Sequence, residues 1–162
     1  MNDWRRDPER GAALFVVVLW LPILLLVTAL VVDVGALWVA RVQGQAAVDL
    51  AVLAAVQSVD WEALEEGTIQ LVEEEAEAAA RSYLTDNARA LGGARPDEVE
   101  VWVINARPEA PKTHPLTGEE LRYPVVSLRC RWPGPKSVFG SWVGATERWV
   151  EADAALRPRR DG

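Results

Sequence analysis

Residues 12–32 read AALFVVVLWLPILLLVTALVV, a run from Ala12 to Val32 that holds no charged side chain. About 20 apolar residues in α-helix cross a hydrocarbon core about 30 Å thick, so this run is long enough to span a bilayer once. Lipid offers backbone N–H and C=O groups no partners, which leaves helix as the form such a segment takes there. A fully buried core helix is the alternative. It needs a large surrounding domain, and a chain of 162 residues leaves little sequence to build one.

The flanks give direction. Arg5, Arg6 and Arg10 precede the run, Asp33 closes it, and the next basic residue is Arg41. The positive-inside rule therefore expects residues 1–11 as a cytoplasmic tip, residues 12–32 in the membrane and the chain from residue 33 outside, with Arg10 and Asp33 at the two boundaries. A cleavable secretory signal competes, because Val27-Thr28-Ala29 has a cleavage-like pattern. Against it, the apolar core of such signals is ordinarily about 7–15 residues. Pro22 removes one helical N–H in mid-span, which either kinks the helix or is simply tolerated, as proline often is in membrane helices.

The formal charge is −7, and the first ten residues balance three Arg against two Asp and one Glu, so the excess acid belongs to the remainder. An acidic exported domain is unsuited to nucleic acid. Its charges read as solvated surface and imply no small-molecule substrate. The single cysteine, Cys130, cannot form an intramolecular disulfide. It lies in the strand-like run Val125–Trp132, where a small buried thiol is the ordinary role and an intermolecular bridge the other one.

From Asp33 to Gln57 the chain contains no proline and is rich in Ala, Leu, Val and Gln, so the helix is expected to continue outside the membrane. Helix from Ala12 to Gln57 would measure roughly 70 Å at about 1.5 Å per residue, far more than a bilayer needs. In residues 33–57, Ala36, Ala40 and Gly44 repeat every fourth position and Ala47, Ala51 and Ala55 follow. Small residues so spaced let helix backbones approach closely, so Ala36, Ala40, Gly44, Ala47 and Ala51 are expected to pack against a neighbouring helix. The alanines can also serve helix propensity alone.

Residues 58–162 read as an α+β domain. Ser58, Asp60 and Gly67-Thr68 signal a break, and a second, amphipathic helix follows with an expected apolar face of Ile69, Val72, Ala76, Ala79, Tyr83 and Ala90, ended by Gly92-Gly93. Glu73, Glu74, Glu75 and Glu77 suit its first turns, and their placement in solvent speaks against acid–base chemistry. Past Pro96, alternation at Val99, Val101 and Val103, then Val125–Trp132 and Glu147–Leu156, predicts a small three-stranded antiparallel sheet. Residues 105–122 are too long and proline-rich for a tight hairpin and are expected to cross the surface, where they can meet a partner. Phe139 and Trp142, in PGPKSVFGSWVG (133–144), form a possible docking loop for a membrane or partner, or else cap the core of the sheet.

The order of these motifs resembles the N-terminal segment of the TadE/TadG-like proteins of Flp (tight-adherence) pilus assembly. The resemblance rests on Arg10-Gly11-Ala12 before the span, Leu21-Pro22 within it, Val32-Asp33-Val34-Gly35 at its outer end, and Gln45-Ala46-Ala47-Val48-Asp49 followed by Leu53-Ala54-Ala55. It implies a pilin-like fold and a pseudopilin-like, single-span protein at the cytoplasmic membrane of a prokaryote. Its partners would be the lipid bilayer and other pilin-like or Tad-type assembly proteins. Were a prepilin peptidase to cut after Gly11, the fifth mature residue would be Val16, where processed pilins carry glutamate. A retained assembly factor is therefore the form expected.

An enzyme is the rival from another class, and it has little support. The sequence offers no paired metal-ligand motif, phosphate-binding loop or nucleophile beside a histidine, so no catalytic, cofactor or metal residues are expected. His114, the one histidine, lies in a loop and is expected to be solvated. A membrane-anchored sensor or binding domain is a further alternative, one that residues 105–122 could serve.

Overall fold

The computed structural model describes residues 8–91, 94–135 and 147–157, with side chains from Leu14 onward. Helix α1, Pro8–Ala55, is one continuous helix that contains Pro22. Nearby, the Thr28 hydroxyl donates to the Leu24 carbonyl at 2.8 Å, the local bonding that lets polar side chains sit in an apolar helix. Between Leu14 and Val32 the large apolar side chains are exposed, as a surface bathed in lipid requires. The stretch is long and apolar enough to cross a membrane.

At Ala55 the chain turns. A short helix α2, Trp61–Glu65, is capped by Asp60, whose side chain accepts from the Ala63 N–H at 3.0 Å. Antiparallel bridging of Val59 with Leu71 then brings the chain back to its starting point. Helix α3, Glu73–Ala90, therefore starts beside the end of α1 and runs back along it. Its first turn holds Glu73, Glu74 and Glu75, placed where the helix dipole favours acid.

Strands β1 (Asp97–Ile104), β4 (Val125–Trp132) and β5 (Arg148–Ala155) form an antiparallel sheet in the order β1-β4-β5. β2 (Lys112–Thr113) and β3 (Glu120–Leu121) make a separate small ribbon. A register shift between Asp97 and Glu100 accompanies a positive φ of 49° at Glu98, so β1 opens on a bulge. The α+β architecture with a three-stranded sheet agrees with the sequence.

The core lies between helices and sheet. Ala47, Val48, Ala51, Val52 and Ala55 of α1 meet Ala76, Ala80, Leu84 and Ala88 of α3, and Val126, Leu128, Cys130 and Trp132 of β4 close the layer. Alanines at every fourth position on both helices allow a close crossing, and the larger Leu84, Val48 and Val52 fill what remains. Asn105, at the end of β1, ties the turn down: its amide accepts from the Leu71 N–H at 2.8 Å and donates to the Leu71 carbonyl at 3.0 Å.

Two expectations need correction. The buried face of α3 is Ala76, Ala80, Leu84 and Ala88, whereas Tyr83 is 54% exposed and Ala90 is exposed; Ile69 and Val72 precede the helix. A face set one residue further on wins because Leu84 buries completely while the Tyr83 hydroxyl stays in water. His114 is not solvated but 4% exposed. Its Nδ1 accepts the N–H groups of Leu116 at 3.2 Å and Thr117 at 3.1 Å, and Nε2 faces the Asp153 carboxylate at 3.2 Å. The ring is thus held from both sides, by two backbone N–H groups at Nδ1 and by the Asp153 side chain at Nε2. Asp153 lies opposite the fully buried Ser127 in the β4–β5 register, so this contact pins the β2–β3 segment over the outer face of the sheet. Gly92-Gly93 lies outside the described residues.

Leu84→Ala is expected to lower the unfolding free energy by about 2–5 kcal/mol, while Tyr83→Ala should change it by no more than about 0.5 kcal/mol. Denaturant unfolding of the full chain in micelles measures both, and comparable losses would restore Tyr83 to the core.

Candidate functional site

Because α1 leaves the apolar segment without a break, the domain is attached to the anchor by a shared helix and not by a linker. Residues 33–55 of α1 thus join the apolar segment to the domain, and their two faces differ.

One face is occupied by the chain itself. Gly44 is buried, and a Cβ placed on it would come within 3.0 Å of the Trp132 ring, so glycine is what lets α1 lie against the end of β4. Ala47 and Ala51 are fully covered by the core. Gly44, Ala47 and Ala51, expected from the sequence to meet a neighbouring helix, are covered here by α3 and the sheet of the same chain. The chain's own return supplies the apolar area that isolated alanines lack. Ala36 and Ala40 are half-buried. Gln45, on the flank, donates to the Glu151 carbonyl at 3.1 Å and to the Asp49 carboxylate at 2.9 Å, fastening α1 to β5.

The opposite face is apolar and exposed. Val39, Val42, Leu50 and Leu53, with half-buried Ala46 between them, recur at intervals of three and four and so line one side of the helix. This stripe is not evident from the sequence alone. Its signal is the spacing itself, masked because the buried face of the same helix is apolar too and the polar residues Arg41, Gln45 and Asp49 lie on the flank between the two.

Of the two boundary residues, Asp33 is 6% exposed and has a polar interaction. The side chain of Arg10 lies outside the described residues, although its backbone is in α1. Phe139 and Trp142 also lie outside them. Cys130 is buried in β4, and burial pushes its thiol up to about 11, far from the range of a reactive thiolate. On the outer face of the sheet the Arg129 guanidinium stacks over Trp149 with 4.0 Å to the ring centroid. Arg131 bridges Glu98 at 2.8 Å and Glu147 at 3.4 Å. Among the described residues, no group of three or more His, Cys, Asp or Glu could hold a metal ion.

Fold and site together define a class: a small α+β domain carried on the outer half of an apolar helix long enough to cross a membrane. Within that class, residues 11–58 match the family model of TadE/G-like proteins of Flp pilus assembly. The match takes in nearly all of α1 and the turn after it and stops before α3 and the sheet, so the resemblance read from the N-terminal motifs holds for that segment. No curated protein and no solved structure matches the chain.

Gly44→Leu should destabilise the domain by about 1–3 kcal/mol through overpacking against Trp132. The loss should shrink when Trp132→Ala is added, a non-additivity that denaturant unfolding of the two single variants and the double variant will measure. Strict additivity would show that Gly44 and Trp132 do not meet.

Proposed function

We propose that this protein is a non-enzymatic, single-span component of Flp/Tad-type pilus assembly, a pseudopilin-like subunit or assembly factor retained in the cytoplasmic membrane. The three arginines ahead of the span support an N-terminus inside and a domain outside. The family match over residues 11–58 supports the pilus-assembly setting and interaction with other Tad components.

The observation that carries the mechanism is the exposed stripe Val39, Val42, Leu50 and Leu53 on the side of α1 away from its own domain. Such a face outside the membrane is unfavourable in water, and the apolar face of a partner helix covers it with the same period. Gly44, Ala47 and Ala51 act indirectly in this reading, by holding the domain to the opposite side and leaving the stripe clear.

Introducing Val42→Glu and Leu50→Glu together should abolish copurification with related single-span proteins after gentle membrane solubilisation. Membrane insertion and the unfolding midpoint should stay as in the parent, since neither residue is in the core. Retained partners in that variant would contradict helix packing through this face. A wild-type chain that copurifies with no related single-span protein would favour an anchored sensor.

A further inference from the structure

Where the domain meets the apolar helix there is a second feature that pilus assembly does not explain. A groove of about 380 Å³ lies between the outer boundary of the span and the ends of β4 and β5. Its walls are Val34, Leu37 and Trp38 from α1 and Trp132 and Pro133 from the end of β4, and its polar groups include Arg41 and Arg148. The same two arginines also line an adjoining hollow of about 260 Å³, so they stand side by side between two open spaces.

Among the described residues neither Arg41 nor Arg148 has an ion pair, and Glu147, which also lines the groove, is engaged with Arg131 at 3.4 Å. Burial first, and then the neighbouring charge of Arg41, lower the Arg148 pKa from its ordinary value. Two cations held together at the edge of an apolar groove form a site for an anion that carries apolar groups with it.

Position decides which anion. Arg41 stands eight residues beyond Asp33, about 12 Å along the helix, and the headgroup layer adds about 5–7 Å to each side of the hydrocarbon core. Helical side chains lean toward the N-terminus, which in this chain is toward the bilayer, and a long arginine stem lets the guanidinium reach down while its methylenes lie on apolar surface. Trp38, 67% exposed, sits at the depth that tryptophan prefers in membranes. We infer that the groove between residues 34–41 of α1 and the ends of β4 and β5 binds an anionic phospholipid, with the headgroup phosphate between Arg41 and Arg148 and an acyl chain along Val34, Leu37 and Trp38.

This site rests on α1 spanning the bilayer but not on any pilus partner. The test uses the full chain reconstituted in equimolar phosphatidylglycerol and phosphatidylcholine, released into mild detergent and weighed by native mass spectrometry. Wild type should retain one phosphatidylglycerol in preference to phosphatidylcholine, and excess inorganic phosphate should not displace it. Arg41→Gln with Arg148→Gln should reduce the preference roughly thirtyfold, as loss of two basic groups near an anionic surface implies. The corresponding lysine variant should keep most of it, and Arg107→Gln with Arg122→Gln, at the far end of the domain, should leave it unchanged. Equal retention of both lipids by wild type, or an undiminished preference in the glutamine variant, overturns the site. Displacement by inorganic phosphate would make it a free-phosphate site and overturn the lipid assignment. Extraction of wild type by alkaline carbonate would overturn the spanning helix, and this site with it.

Discussion

The arrangement of this protein depends on one close approach, that of α1 to the end of β4 at Gly44. With no side chain on Gly44, the Trp132 ring lies flat against the helix backbone, and from that point to Ala55 the helix offers mostly alanine and valine to its surroundings. The sheet and α3 can therefore close on the helix directly beyond its apolar run. A bulkier residue at Gly44 pushes β4 away, and the loss propagates because β4 is the central strand, hydrogen-bonded to β1 on one side and β5 on the other. The anchor and the core of the domain are thus one element.

That fusion gives the outer half of α1 two apolar faces. One is used by the chain itself, and the other is left in the solvent, where an unpartnered apolar stripe is unfavourable. Closer to the bilayer the same helix contributes Arg41 and Trp38 to a rim facing the headgroups. In the proposed reading the rod meets three environments in succession along its length: lipid, interface and partner. The acids of residues 60–77 lie at the far end, around α2 and the first turn of α3, where neither lipid nor helix packing has to desolvate them.

Much of this was legible in the sequence, for physical reasons that also explain what was not. The charge-free run from Ala12 to Val32 marks an apolar helix long enough to cross a membrane, and strict alternation at Val99, Val101 and Val103 marks β1, because each period suits one kind of backbone. Tyr83 was misplaced since alanine-rich helices carry little contrast between faces, and one leucine decided the rotation. His114 was misread because its burial comes from the return of the β2–β3 segment onto Asp153, a contact far apart in sequence. The exposed stripe of α1 escaped notice because periodicity reports a face only when the other side is polar. The small-residue motif itself was found, but whether its partner is another chain or the same one depends on tertiary structure.

The central claim is that α1 presents its Val39–Val42–Leu50–Leu53 face, and not its alanine face, to a neighbouring helix. Single cysteines introduced along residues 36–53 in a Cys130→Ser background, oxidised in native membranes, test it most directly. The account predicts crosslinks to other single-span proteins from positions 39, 42, 50 and 53 and none from 47 and 51. Crosslinks concentrated at 47 and 51 would contradict it.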